Sequence, residues 1–130
     1  MKYQIEYCPN PDVLHIDVDQ RLIRGSILVF MSDESDHTKK EFKQERNGNA
    51  LASFCQTVGE LDGMEEEIFF GRYHIQVKKT PMFSWETLLP TILDALRTFI
   101  AKDGEIEEAA PAKRPTEEYL KALREQGCDV

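Results

Sequence analysis

Residues 68–85 read IFFGRYHIQVKKTPMFSW, and this stretch decides the fold. Ile68, Phe69 and Phe70 form a short apolar run. Beyond Gly71 and Arg72, Tyr73, Ile75 and Val77 alternate with His74, Gln76 and Lys78, which is the period of a strand with one buried face. Two residues between apolar runs, one of them glycine, predict a hairpin folded back at Gly71-Arg72. Thr80-Pro81 ends the second strand. Ser84 is placed to cap a helix, with Glu86 in the first turn, where the helix dipole favours an anion. Trp85, Leu88, Leu89, Ile92, Leu96, Phe99 and Ile100 then form one apolar stripe at helical spacing. Trp85 reads as a staple closing the seam between sheet and helix. Pro90 lies too deep to be free of the carbonyl four residues earlier, so it predicts a kink or a helix that starts near Thr87. Lys102-Asp103-Gly104 ends the helix.

Working back towards the N-terminus, residues 2–8 alternate, with Tyr3, Ile5 and Tyr7 on one side and Gln4, Glu6 and Cys8 on the other. Pro9-Asn10-Pro11-Asp12 is turn chemistry: two fixed φ angles and two side chains able to bond local backbone. Residues 13–18 alternate again, with Leu14, Ile16 and Val18 opposed to His15 and Asp17. Residues 19–25 form a polar connection in which Leu22 and Ile23 are placed to start the next pairing. Residues 26–31 are an apolar run rich in β formers and predict a more centrally buried third strand. Residues 32–46, almost all polar, read as a loop or short surface helix. From 50 to 61, Leu51, Phe54, Cys55, Val58 and Leu61 mark one helical face, with Asn49 as its cap and Gly59 as its stop.

The stretch 103–115, with Glu107-Glu108-Ala109-Ala110-Pro111, reads as an acidic and Pro-containing linker after a domain at 1–102. Residues 116–127 predict a short helix or tail, capped by Thr116 and stopped by Gly127, with Tyr119, Leu120 and Leu123 as its apolar side. The resulting order, β-β-β-α-β-β-α, is an α+β fold: a two-layer arrangement with a mainly antiparallel sheet.

The chain has 130 residues and a net charge of −8. That balance argues against a nucleic-acid or anionic-membrane partner, both of which need clustered Lys and Arg. No apolar run is long enough for a membrane span, and the N-terminus lacks a signal-peptide pattern. A cytoplasmic location is expected. Cys8, Cys55 and Cys128 are odd in number and widely spaced, so reduced thiols are expected rather than a disulfide framework.

The soft ligands Cys8, Cys55, Cys128, His15, His37 and His74 share none of the short spacings of structural metal sites, so no metal and no cofactor is expected. A Cys8 nucleophile would need a neighbouring cation, whereas its sequence neighbours Glu6 and Asp12 would raise its pKa. No Gly-rich phosphate loop, nucleophile elbow or zincin pattern is present, and no catalytic residue is assigned.

Several of these pieces together resemble the N-terminal domain of the NifU-like (Nfu) scaffold proteins. Cys8-Pro9-Asn10-Pro11-Asp12-Val13-Leu14 is similar to that family's early Thr-Pro-Asn-Pro turn and strand. Leu51-Ala52, Leu61-Asp62-Gly63-Met64 and Phe69-Phe70-Gly71 follow in the family's order. So do Ile75-x-Val77-x-Lys79 and Trp85-x-x-Leu88-x-Pro90-x-Ile92. The resemblance covers residues 2–101. It departs at Cys8, where the family has Thr, at His74, where an aromatic is usual, and in a slightly longer stretch around 57–60. Family members that carry iron–sulfur clusters do so through a separate C-terminal domain with a CxxC, which has no counterpart here. The resemblance implies an α+β domain with two helices on one sheet face. It also implies a non-enzymatic accessory module that binds a protein partner, linked to iron–sulfur cluster assembly but without cluster ligands of its own.

The partner-binding residues expected are Cys8, Pro9, Asn10, Asp12, His15, His74, Gln76 and Lys78. Two alternatives stand beside this reading: a redox sensor or enzyme using Cys8, and a regulatory adaptor acting through the helix at 116–127.

Overall fold

A computed structural model describes residues 1–25, 27–31, 45, 48–65, 67–116, 121 and 125. The expected strip at 32–46 lies outside the described residues except for Glu45, and the helix expected at 116–127 lies almost wholly outside them.

The chain forms a mixed six-stranded sheet with helices packed on one face, an α+β fold as expected. Strands β1 (Lys2–Tyr7), β2 (Val13–Val18), β3 (Leu28–Met31), β4 (Glu67–Phe70), β5 (His74–Lys78) and β6 (Glu107–Glu108) lie in the order β3-β4-β5-β2-β1-β6. All neighbours are antiparallel except β1 and β6. Helix α1 (Gly48–Gly59) and helix α2 (Trp85–Ala95), the latter continued by a π-helical turn (Leu96–Ile100), supply the second layer.

Alternation fixes which side is which. On β2, Leu14, Ile16 and Val18 are buried; on β5, Ile75 and Val77; on β4, Ile68 and Phe70. Their registers bring Ile5 opposite Ile16 and Ile16 opposite Ile75, so one continuous apolar face meets the helices. Leu51, Phe54, Cys55 and Val58 of α1 and Trp85, Leu88 and Ile92 of α2 cover it. Helix α1 begins at Gly48, so Asn49 sits in its first turn rather than capping it.

The β4–β5 hairpin turns one residue later than expected. The Gly71 amide donates to the His74 carbonyl at 2.7 Å, so Arg72 and Tyr73 form the tip and Tyr73 is exposed instead of joining Ile75 and Val77. Gly71 does not adopt positive φ. Gly63 does, at 95°, and a Cβ built there would lie 2.3 Å from the Phe83 ring. The stringent glycine of this region is therefore Gly63.

Strand β3 corrects a second expectation. Its apolar run predicts central burial, yet β3 is the sheet's edge, pairing with β4 alone among the described strands. Leu28 faces the core while Ile27 is exposed. An unbroken apolar run cannot by itself tell a central strand from an edge strand. Leu22 and Ile23 are buried without forming a strand. The Leu22 amide donates to the Arg72 carbonyl, which plugs this loop against the hairpin tip.

Helix α2 starts at Trp85, not Thr87, because the Ser84 side chain accepts the Glu86 amide at 3.1 Å. Pro90 is accommodated inside it. The Gln20 side chain closes the far end, donating to the Ile100 carbonyl at 2.9 Å and accepting the Lys102 amide at 3.2 Å.

The stretch read as linker is partly strand. Glu107 and Ala109 donate amides to the carbonyls of Met1 and Tyr3, and Lys113 donates to Ile5 while accepting from Tyr7. Gln4 Nε2 adds a bond to the Pro111 carbonyl. These contacts use backbone, which a polar, Pro-containing composition does not advertise.

Candidate functional site

Two polar groupings stand out, and the eight expected partner residues divide between them. The first lies on the sheet face away from the helices. Strand parity turns Gln4 and Glu6 of β1, His15 and Asp17 of β2, and His74, Gln76 and Lys78 of β5 to this side. Register sets Gln4 opposite Asp17, Asp17 opposite His74, Glu6 opposite His15, and His15 opposite Gln76. The side chains use this placement. His74 Nδ1 and Asp17 Oδ1 are 3.0 Å apart, and His15 Nε2 and Gln76 Oε1 are 2.9 Å apart. The two imidazoles meet edge-to-face, with centroids 4.3 Å apart. His15 and His74, expected on sequence grounds to be partner residues, are thus brought together. Lys78 flanks them, exposed, opposite Val13.

Asp17 was not among the expected residues, although it orients His74. Its signal was present, since it shares the His15 face of β2; what sequence cannot give is the cross-strand partner. Among the described residues, no three His, Cys, Asp or Glu side chains are grouped so as to hold a metal ion.

The second grouping is the β1–β2 turn. The Asn10 side chain accepts the Asp12 amide at 3.0 Å, an Asx turn that explains the Pro-Asn-Pro-Asp sequence. Asp12 then reaches across to β5: its carboxylate accepts from Lys79 Nζ at 2.8 Å, and its carbonyl accepts the Lys79 amide at 2.8 Å. The Trp85 indole donates to the Pro11 carbonyl at 2.9 Å, and Lys79 Nζ lies 5.9 Å from the Trp85 ring centroid. Lys79 is only 7% exposed. This turn is a latch joining hairpin, strand and helix start, and Asp12 is committed to it. Pro9 and Asn10 remain at its rim.

Cys8 follows β1 between the two groupings. Burial pushes its thiol above the ordinary range, and the Glu6 and Asp17 carboxylates push the same way. That is the opposite of what a thiolate nucleophile requires. Cys55 is buried on the helix side of the sheet, and burial raises its thiol strongly. Cys8 and Cys55 therefore face different sides of the sheet, and these described thiols do not fit a shared cluster. Cys128 and His37 lie outside the described residues.

No helix among the described residues is long and apolar enough to cross a membrane. No curated protein sequence matches the chain. Solved structures do. The crystal structure of protein SAV1430 from Staphylococcus aureus has a TM-score of 0.52 and 19% identity, over 74% of this chain and 99% of that one. The solution structure of a NifU-like protein from Saccharomyces cerevisiae has a TM-score of 0.50 and 17% identity, over 72% of this chain and 73% of that one. At such identities the likeness is one of fold. The family described as scaffold protein Nfu/NifU N terminal matches residues 3–103, from β1 through the π-helical turn, and the chain belongs to that family.

Proposed function

We propose that this chain is a non-enzymatic accessory module that binds a protein partner through the outward face of its sheet, in the service of iron–sulfur cluster assembly. The observation that carries the proposal is the ordered set His15, Asp17, His74 and Gln76 on the sheet face opposite the two described helices. Family membership supports the accessory role. The His74–Asp17 pair is more than a third exposed on average, where such pairs contribute roughly 0–1 kcal/mol, so stability alone is a weak reason for the arrangement. Held side chains suit recognition, because less rotamer freedom is lost on binding. Asp12 serves the latch, and Asn10 belongs to the same turn.

A photo-cross-linking residue at Gln76, expressed in cells, is expected to give one discrete adduct. The same residue at Glu86, exposed on α2, is expected to give none. Equal adducts from both positions, or none from Gln76, would overturn the proposal. Anaerobic incubation with iron and sulfide is expected to leave the chain without a stoichiometric cluster absorbance; its appearance would replace the accessory role with a carrier role.

A further inference from the structure

The end of the sheet at the β4–β5 hairpin tip carries a local charge opposite to that of the whole chain. The net charge is −8, yet Arg21, Arg24 and Arg72 are gathered here, all exposed. Main-chain bonds bring them together. The Leu22 amide donates to the Arg72 carbonyl at 2.6 Å, and the Val18 amide to the Tyr73 carbonyl at 2.9 Å. Arg72 Nε donates to the Gly25 carbonyl at 3.3 Å. Arg21 braces the same loop, with Nε and Nη2 donating to the carbonyls of Ile23 and Arg24 at 2.9 and 3.0 Å.

Among the described residues, no carboxylate pairs with any of these three guanidinium groups. The acids nearby are engaged elsewhere. Asp17 meets His74, Asp19 accepts the Lys2 amide at 2.8 Å, and Glu45 accepts the Arg24 main-chain amide at 2.7 Å. Arg72 bonds through Nε alone, which leaves its two terminal nitrogens to water. Three like charges set together repel, so the fold gains little from leaving them unpaired. Two large side chains at the same end of the sheet are exposed as well, Ile27 at 64% and Tyr73 at 50%. Arginine and tyrosine are enriched in protein interfaces and among the residues that carry binding energy there. The pinned backbone of the tip also leaves less freedom to lose on binding.

We propose that Arg21, Arg24, Ile27, Arg72 and Tyr73 form a docking surface for an acidic segment of a protein partner, one with an apolar residue between its carboxylates. Arg24 and Arg72 receive the carboxylates through their guanidinium forks, while Arg21 holds the loop. The apolar residue covers Ile27 and the Tyr73 ring. A nucleic acid is the poorer fit, because three cations on an acidic chain meet only a few phosphates of a long polyanion. The site does not rest on the outward-face reading, since it uses the hairpin tip and the loop before β3 rather than the faces of β2 and β5.

The test uses the full chain and a fluorescein-labelled peptide of repeated Glu-Glu-Leu as probe. Anisotropy at low salt is expected to show saturable binding. Amide shifts on the unaltered chain are expected at Arg24, Ile27, Arg72 and Tyr73 but not at His15 or Gln76. The double variant Arg24→Gln, Arg72→Gln is expected to bind about tenfold more weakly, the loss of two exposed charge pairs. Lys113→Gln, an equal change of sign at an exposed residue beside β1, is expected to leave binding unchanged. Near-UV circular dichroism establishes that the variants are folded. A peptide of repeated Glu-Glu-Ser is expected to bind more weakly than the leucine peptide. No saturable binding to the unaltered chain would overturn the proposal. So would an equal loss from Lys113→Gln, or shifts confined to His15 and Gln76. Tighter binding of a labelled single-stranded oligonucleotide than of the peptide would overturn the assignment to a protein.

Discussion

The latch and the outward cluster each set an aspartate against a nitrogen on the neighbouring strand or just beyond its end, in two settings. Asp12 meets Lys79 at 2.8 Å and Asp17 meets His74 at 3.0 Å. Lys79 is buried beside an indole, whereas His74 and Asp17 remain about 34% and 44% exposed. In the first, a charge has been taken from water, and losing its partner strands it. In the second, water can replace either partner at little cost. Distance alone does not say what such a contact does; burial decides whether it holds the fold or stays available to a visitor.

Breaking the latch should have the largest effect. Asp12→Ala is expected to lower unfolding free energy by about 3 kcal/mol in urea denaturation, because Lys79 is left buried and unpaired. Adding Lys79→Met should restore much of that loss; a double variant as unstable as the single one would break the comparison. Next in size is Gly63, whose carbonyl accepts the Thr80 amide beside the latch. Gly63→Ala places a Cβ against Phe83 at positive φ and is expected to cost about 2 kcal/mol. Trimming Phe83 to Ala in the same chain should relieve only the steric share.

In the outward cluster, Asp17→Ala is expected to cost less than about 1 kcal/mol of stability. The same substitution should abolish the adduct from Gln76, which would sharpen the contrast between holding and recognising. A stability loss as large as that of Asp12→Ala would erase it. The smallest effect concerns Cys8. Its thiol is raised by burial, Glu6 and Asp17, so iodoacetamide should modify it more slowly at pH 8.5 than an unfolded cysteine with a pKa of about 8.5. Stability from the protonated thiol is complete below that unfolded pKa and is lost as pH rises through the folded value. Cys8→Ser should soften this alkaline loss, measured as Tm against pH.

Much of the body was legible because alternation and helical spacing are local. Leu14, Ile16, Val18, Ile75 and Val77 announced their buried side, and Ser84 announced the start of α2. The outward cluster was half legible: His15, His74 and Gln76 could be placed on one side of their strands, but Asp17 gains its role only from a register between β2 and β5. Asp12 was legible as turn chemistry and not as a latch, because its partner is 67 positions away. The pairing of residues 107–113 with β1 was hidden for a different reason. It is largely backbone to backbone, and Glu107 and Glu108 both point to water. The edge position of β3 was hidden because Leu28, Val29, Phe30 and Met31 are apolar on both sides.

The π-helical turn at Leu96–Ile100 couples the core to the far edge of the sheet. Such a turn holds one residue more than an α-helix would in the same span. Deleting a single residue there would let the turn close as α over the same span, so the chain beyond it would keep its phase and the Gln20 anchor on the last turn and the reversal at Gly104 would stay in place. The extra residue is thus absorbed inside the helix, where the Ala101 amide reaches back to the Leu96 carbonyl at 3.0 Å, and the cost of removing it would fall on the packing of the turn itself.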